Sequence, residues 1–227
     1  MNLLGIETSS LVFSVAVCDG ERILSFLKSN DPTRRSDYLT ELIQEAIRTA
    51  GLTLAGLDGF TISIGPGSFT GLRVGVMTIK TLAWALMKPI LPISTLEIIA
   101  YNFCRNSTSI GVFLDARKGK VYSASFAPDG IDNLKRSSPD QLLLPEEALE
   151  KFPRDTLLVG DGLKRYRDLL KSTNGRAWNC APESEWIPSA EVLCRIAASR
   201  WPHGVLDDPH PLVPQYLYSK ESDITGW

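Results

Sequence analysis

The sequence predicts an α/β fold built from two similar lobes of about 100 residues each. Short β-branched segments joined by a hairpin turn come first, and a helix, a strand and a second helix follow. The same order recurs more loosely in the second half. We therefore expect an N-terminal lobe over residues 1–105 and a C-terminal lobe over residues 106–227, with the last helix and the tail packing back on the first lobe.

Four apolar segments predict the strands of the first lobe. Residues 3–6, 12–18 and 23–27 are rich in Val, Ile and Leu, and Asp19-Gly20 between the last two is a strong hairpin signal. The segment at 60–64 is apolar and ends at a glycine-rich turn. We expect the first three strands to pair antiparallel.

The first predicted helix is amphipathic. Ser36 or Asp37 can cap its start and Gly51 ends it. Its apolar residues recur at three- and four-residue spacing, which places them on one stripe. The stripe consists of Tyr38, Leu39, Leu42, Ile43, Ala46, Ile47 and Ala50.

The second predicted helix, at residues 71–87, is apolar on two faces. Arg73 and Lys80 share a narrow polar strip, and most other positions are aliphatic. One face packs on the helix's own sheet. The other face is covered either by more of this chain or by a second protein, and the periodicity leaves both open.

The second half carries weaker signals. A third helix is expected at 95–104, a strand pair at 111–115 and 121–126, and a strand at 156–159. Two further helices are expected at 163–171 and 190–200. The polar stretch at 128–145 and the proline-rich tail after residue 201 predict irregular structure.

Composition excludes several classes of protein. The formal net charge is −2, so no global basic field attracts nucleic acid, although a local patch remains open. The four cysteines form no C-x-x-C pair and are expected to be reduced, and the two histidines, His203 and His210, lack metal-site spacing. No signal peptide or membrane-length apolar run is visible, so we expect a cytoplasmic protein.

The turn at residues 65–71 allows two interpretations. Backbone N–H groups at the start of the second helix can bind an anion, with Ser68 or Thr70 as the cap. The turn lacks the Lys-Ser or Lys-Thr of a P-loop and the Rossmann spacing, however. The other interpretation is a tight turn whose glycines let helix and strand approach closely.

Two polar segments are candidates for a nucleotide site. Glu7-Thr8-Ser9-Ser10 lies between the first two strands, and Asp115 and Arg117 lie at the corresponding place in the second lobe. A phosphate site needs unobstructed backbone amides, and no glycine lies between Glu7 and Leu11. The segments are therefore either vestigial nucleotide-binding residues or turns held by their own hydrogen bonds and salt bridges.

The sequence resembles the TsaB family, also called YeaZ, over nearly its full length. The most specific match is Gly65-Pro66-Gly67-Ser68-Phe69-Thr70-Gly71-Leu72-Arg73-Val74-Gly75. Weaker matches in the right order are Ile6-Glu7-Thr8-Ser9, Ser94-Thr95-Leu96, Asp115-Ala116-Arg117 with Gly119 and Val121-Tyr122, and Pro214 with Tyr216-Leu217. The resemblance implies a two-lobed actin/Hsp70/sugar-kinase-like fold, which is ribonuclease H-like and duplicated.

The resemblance also implies a function in assembly. TsaB-like proteins serve in bacterial synthesis of N6-threonylcarbamoyladenosine in tRNAs that read ANN codons. The transferase chemistry belongs to the paralogue TsaD, which uses threonylcarbamoyl-AMP made by TsaC, and the ATPase TsaE joins the pair. The resemblance thus implies a non-catalytic scaffold without a tightly bound cofactor, with ATP or ADP and metal on TsaD and TsaE, and tRNA reached through the complex.

The implied contact surface lies on the first two helices. The residues carried over as partner-binding are Tyr38, Leu39, Leu42, Ile43, Ala46, Thr70, Leu72, Arg73, Val74 and Met77. Without TsaD, the same surface is expected to form a homodimer.

Two positions depart from the family pattern. Ser36 stands where members often have His, and Tyr218 stands where they usually have Arg.

Two other functions compete with the scaffold. A small ATPase or kinase would require nucleotide binding through Glu7, Ser9 or Asp115. A metallopeptidase would require a histidine pair that the body of the chain lacks.

Overall fold

The computed structural model describes residues 1–29, 36–105, 108–130, 132–172, 177–201, 203, 205 and 208–218. The elements of the first part are β1 (Asn2–Glu7), β2 (Ser14–Asp19), β3 (Arg22–Lys28), α1 (Ser36–Thr49), β4 (Gly59–Ser63), α2 (Phe69–Leu86), β5 (Ile90–Ile93) and α3 (Thr95–Tyr101). They are followed by β6 (Ile110–Arg117), β7 (Lys120–Pro128), β8 (Leu134–Arg136), β9 (Gln141–Leu143), α4 (Pro145–Lys151), β10 (Leu157–Val159), α5 (Gly162–Arg165), α6 (Arg167–Ser172), β11 (Asn179–Cys180) and α7 (Ala190–Arg200). Within these residues, no helix combines the length and the hydropathy that crossing a bilayer requires.

The first compact unit comprises Met1–Ile98 and Pro188–Gln215. Its sheet has the order β3-β2-β1-β4-β5, in which β1, β2 and β3 pair antiparallel and β1, β4 and β5 pair parallel. β5 is not among the strands that the sequence predicts, since Pro89 and Pro92 interrupt this segment. Pro92 is tolerated because β5 lies at the edge of this sheet.

The second compact unit comprises Ile99–Ile187 and Tyr216–Trp227. Its sheet has the order β11-β10-β6-β7-β8, with β6 and β7 antiparallel and β6, β10 and β11 parallel. The sixth strand, β9, pairs antiparallel with β7 off this path. Without β9, and starting from β8, the sheet has the order third, second, first, fourth, fifth that the first unit shows. The two units therefore repeat one topology.

The last helix joins the first unit. The Ala190 N–H donates to Ser14 Oγ at 2.9 Å, and the Cys194 thiol donates to the Ala16 carbonyl at 3.7 Å. A Cβ on Gly5 would lie 2.6 Å from Cys194 Sγ, so α7 packs directly on β1. The expected lobe boundary at residue 106 lies outside the described residues, and the contacts divide the chain between Ile98 and Ile99.

The second unit contains α4 and β11, which the sequence does not predict, and differs from the sequence-based expectation in two further places. The stretch at 128–145 contains β8 and β9, which are three residues each and too short to show a period. The helix expected at 163–171 is divided into α5 and α6 at Tyr166. The Tyr166 ring packs edge-on against Phe113, with centroids 6.0 Å apart.

Candidate functional site

The glycine-rich turn between β4 and α2 packs directly against the loop after β1. A Cβ on Gly67 would lie 2.4 Å from the Ser9 carbonyl oxygen, and one on Gly71 would lie 2.0 Å from that of Thr8. A Cβ on Gly75 would lie 2.2 Å from Thr8 Oγ1. The close-packing interpretation is therefore confirmed, because only glycine leaves room for this approach.

Two backbone N–H groups at the start of α2 donate to partners within the chain. The Ser68 hydroxyl accepts from the Gly71 N–H at 3.3 Å, and the Ser68 N–H donates to the Ser9 carbonyl at 2.7 Å. Of the two caps that the sequence allows, Ser68 and Thr70, Ser68 is the one that the structure uses. On the side where the three glycines lack a side chain, residues 8 and 9 fill the space and leave no room for a phosphate.

Glu7 is a fully buried carboxyl group at the end of β1. Its Oε1 accepts from the Ser9 N–H at 2.8 Å, from the Ser9 hydroxyl, and from the Ser63 hydroxyl at 2.8 Å. Its Oε2 has no hydrogen-bond partner among the described residues. Burial raises the pKa of Glu7 to about 7, although the hydrogen bonds from Ser9 and Ser63 lower it.

Glu7 and Ser9 of the first polar segment thus form a hydrogen-bonded cluster with Ser63 in the first unit. Ser10 belongs to it less directly, because its hydroxyl donates to the Val12 carbonyl at 3.1 Å. The sequence did not indicate Ser63, which lies on β4 far from Glu7 along the chain. The contact of Ser63 with Glu7 could have been found from the parallel pairing of β1 with β4, in which Ile6 lies opposite Ile62.

Asp115 and Arg117 lie in the second unit, at the hairpin between β6 and β7. Asp115 accepts from the Arg117 backbone N–H at 2.9 Å and forms ion pairs with the Arg117 and Arg165 guanidinium groups at 3.2 and 3.4 Å. The Asp161 carboxylate accepts from the Asp115 N–H at 2.9 Å. The turn and the salt bridges that the sequence predicts are present here, and each oxygen of Asp115 has a partner.

The apolar stripe of α1 packs inside the first unit. Leu39, Leu42, Ile43 and Ala46 are buried in the same core cluster as the sheet residues, and Tyr38 is half-buried against it. Leu72 on α2 is also buried. Leu39, Leu42, Ile43, Ala46 and Leu72 therefore leave little surface for a partner, whereas Tyr38 keeps part of its side chain exposed.

The opposite side of α2 is exposed. Met77 is 59% exposed and Trp84 is 68% exposed, seven residues apart on the same helix face. Thr70 and Arg73 are exposed beside them, Val74 is half-buried, and the Arg73 guanidinium lies 4.0 Å from the centre of the Phe69 ring. We call Phe69, Thr70, Arg73, Val74, Met77 and Trp84 the outer face of α2.

One departure from the family pattern has a structural role, and the other lies outside the described side chains. The Tyr218 hydroxyl donates to the Ala116 carbonyl at 2.9 Å, and its ring packs edge-on against Tyr122. Through this hydrogen bond and ring contact, Tyr218 therefore packs the tail against the β6–β7 hairpin. Ser36 begins α1, but its side chain is not among those described.

Comparison with known proteins places the chain in a family. The sequence model described as "TsaD: tRNA N6-adenosine threonylcarbamoyltransferase" matches residues 33–169. The Bacillus subtilis protein named "tRNA threonylcarbamoyladenosine biosynthesis protein TsaB" is 27% identical, over 98% of this chain and 96% of its own length. An uncharacterized protein of Mycobacterium tuberculosis is 30% identical, over 87% of this chain and 79% of its own length.

A solved structure shows the same fold. The structure titled "YeaZ from Pseudomonas aeruginosa" is 25% identical, has a TM-score of 0.83, and covers 95% of this chain and 99% of its own. The expected duplicated α/β fold is confirmed by this structure and by the repeated strand order of the two units. The actin/Hsp70/sugar-kinase type that the resemblance implies stays a prediction. The family expectation is confirmed as well, because the model matches more than half of the chain. The chain belongs to the family that this model describes and, within it, to the proteins named TsaB or YeaZ.

Proposed function

We propose that this chain is a non-catalytic scaffold in the formation of N6-threonylcarbamoyladenosine in tRNA. It acts by pairing with TsaD through the outer face of α2, and TsaE joins the pair. The names of its relatives support the pathway. The observation that carries the contact is the exposed apolar surface of α2, which the sheet of the first unit does not cover.

The outer face has the composition of a protein contact. A methionine and a tryptophan provide flexible and rigid apolar area, and Arg73 over the Phe69 ring adds a cation beside them. Aromatic and Arg residues contribute most to binding energy at interfaces. This surface is narrower than the sequence indicates, because α1 contributes core side chains.

The internal hydrogen bonds of the hairpins support a role without catalysis by this chain. Glu7 bonds to its own loop, and residues 8 and 9 fill the space beside the glycines. In this proposal nucleotide and metal bind to TsaD and TsaE, and tRNA is reached through the complex. When TsaD is absent, the outer face pairs two copies of this chain.

Sedimentation velocity tests the pairing. This chain, TsaD and their mixture are compared at micromolar concentration, and the proposal expects a one-to-one complex. Met77→Asp and Trp84→Asp should each weaken the complex by about tenfold or more, because a charge then enters the apolar contact.

The matched control is Leu144→Asp. Leu144 is 48% exposed in the second unit and is the N-cap residue of α4, where Asp is favoured. The Leu144→Asp variant should therefore leave the complex with TsaD intact. Absence of a complex with folded wild-type chain would contradict the proposal, and equal losses in all three variants would contradict the assigned face.

A further inference from the structure

The second unit contains a cleft that the proposed function does not use. Its volume is about 990 Å³, and it opens between α5, α6 and the segment before α7. Clefts of roughly 300–1,000 Å³ are typical of small-molecule sites. The side chains that give this cleft its chemistry are Lys164, Arg167, Lys171, Trp178, Glu183 and Trp186.

Two indole rings form the aromatic part of the lining. Trp178 and Trp186 are half-buried and pack against the core cluster around Phe113 and Leu158. The Trp186 Nε1–H donates to the Ala181 carbonyl at 3.0 Å, which fixes the orientation of that ring. The Trp186 ring held in this way, with Trp178 beside it in the lining, offers a stacking surface for a planar ligand.

Three cations form the other part of the lining. Lys164, Arg167 and Lys171 follow one another along α5 and α6. Glu183, the single carboxylate among the described residues of the lining, pairs with Lys164. Lys171 is 71% exposed and lies 3.7 Å from Asp168, which is fully exposed. Arg167 forms no ion pair with any described residue. The lining therefore has a local positive excess in a chain whose formal net charge is −2.

We propose that this cleft binds an unpaired nucleotide of an RNA strand, with its base against the tryptophans and its phosphates along Lys164, Arg167 and Lys171. Single-stranded nucleic acid is bound where aromatic rings and a track of cations lie together. An acidic peptide would use the cations but would leave the stacking surface without a planar partner. The proposal does not depend on pairing with TsaD.

Fluorescence anisotropy of the full chain tests this assignment. The probe is a fluorescein-labelled, unstructured RNA octamer, and AMP serves as competitor. Arg167→Glu and Lys171→Glu should each raise Kd by about tenfold or more, because each replaces an attraction to phosphate by a repulsion. The slope of log K against log salt should also become shallower, by about 0.7 for each phosphate that the variant no longer neutralises.

The control variant is Arg154→Glu, which makes the same charge change at an exposed site of the second unit that does not line the cleft. It should leave the Kd nearly unchanged. An independent readout is alkylation of Cys180, which borders the cleft and is exposed, whereas Cys18, Cys104 and Cys194 are buried. Bound RNA should slow alkylation of Cys180 in the wild-type chain and should have little effect in Arg167→Glu.

Three results would overturn the assignment. The first is no RNA binding at micromolar chain, and the second is an equal rise in Kd for Arg154→Glu and Arg167→Glu. The third is AMP binding as tightly as the octamer, which would indicate a free nucleotide rather than a strand. TsaD pairing of the same variants is measured separately, so failure here is distinguished from failure of the scaffold proposal.

Discussion

Glu7 is a carboxyl group enclosed by its own chain, with one oxygen bonded three times and the other without a partner among the described residues. Burial raises its pKa from 4.5 to about 7, so the folded protein holds a proton that the unfolded chain releases. Between those two values, the stability of the folded state should fall as pH rises, because the unfolded state binds fewer protons. Well above pH 7 the Glu7 carboxyl is ionised in both states, and the total decrease in the free energy of unfolding is about 3 kcal/mol.

Glu7→Gln should remove this pH dependence. The amide keeps an oxygen that accepts from Ser9 and Ser63, and it carries no charge at any pH. The variant should be more stable than wild type at pH 8 and similar at pH 5, measured as the free energy of unfolding in urea. Glu41→Gln on the exposed side of α1 is the control. If Glu7→Gln and wild type differ in free energy of unfolding by the same amount at pH 5 and at pH 8, the assigned protonation of Glu7 is contradicted.

Gly71 makes a second residue-scale prediction. Gly71→Ala places a Cβ about 2.0 Å from the Thr8 carbonyl, so α2 must move away from the loop after β1. We expect a decrease of about 1–3 kcal/mol in the free energy of unfolding. Gly56→Ala is the matched control, since its Cβ would lie 3.5 Å from the nearest atom. Equal stabilities of the two variants would contradict the close-packing interpretation.

At the scale of the element, α1 and α2 differ in how much of their apolar surface is buried within the first unit. The stripe of α1 is used inside the first unit, whereas α2 is apolar on two sides and leaves one of them exposed. The sequence predicted both helices and the double apolar surface of α2. It could not predict which stripe faces the sheet, because periodicity defines a stripe without its partner.

The two helices should respond differently to truncation. Leu42→Ala should cost about 2–5 kcal/mol of unfolding free energy, since Leu42 is buried in the core of the first unit. Met77→Ala should stay within about 0.5 kcal/mol, because its side chain is 59% exposed. Urea unfolding measures both, and a comparable cost at Met77 would mean that the outer face of α2 is covered in the free chain.

At the scale of the molecule, the sequence predicted two repeated α/β lobes, and the topology repeats as expected. The elements that sequence reasoning missed are short or interrupted. β5 contains a proline, and β8 and β9 have three residues each. The tryptophans and cations of the cleft were not predicted, because they come from separate segments and share no spacing.

The discontinuity of the first unit leads to a prediction about fragments. A chain in which residues 99–187 are replaced by a flexible linker keeps α7 and should unfold cooperatively. The fragment 1–105 lacks α7 and should not, because Leu193, Cys194 and Ile196 would no longer cover the sheet. Circular dichroism during thermal unfolding measures both. A cooperative transition in 1–105 with an unchanged midpoint would contradict this division of the chain.

The insertion of the second unit also sets an order for biosynthesis. A ribosome releases β1 first, but α7, which covers it, emerges only after all of residues 99–187 have been made. The second unit can therefore form its sheet before α7 is available to the first unit. This order is the reverse of the usual N-to-C order of folding during synthesis. During that interval the nascent chain presents the α7-binding side of β1 and β2, and a chaperone that binds apolar strands would meet it there.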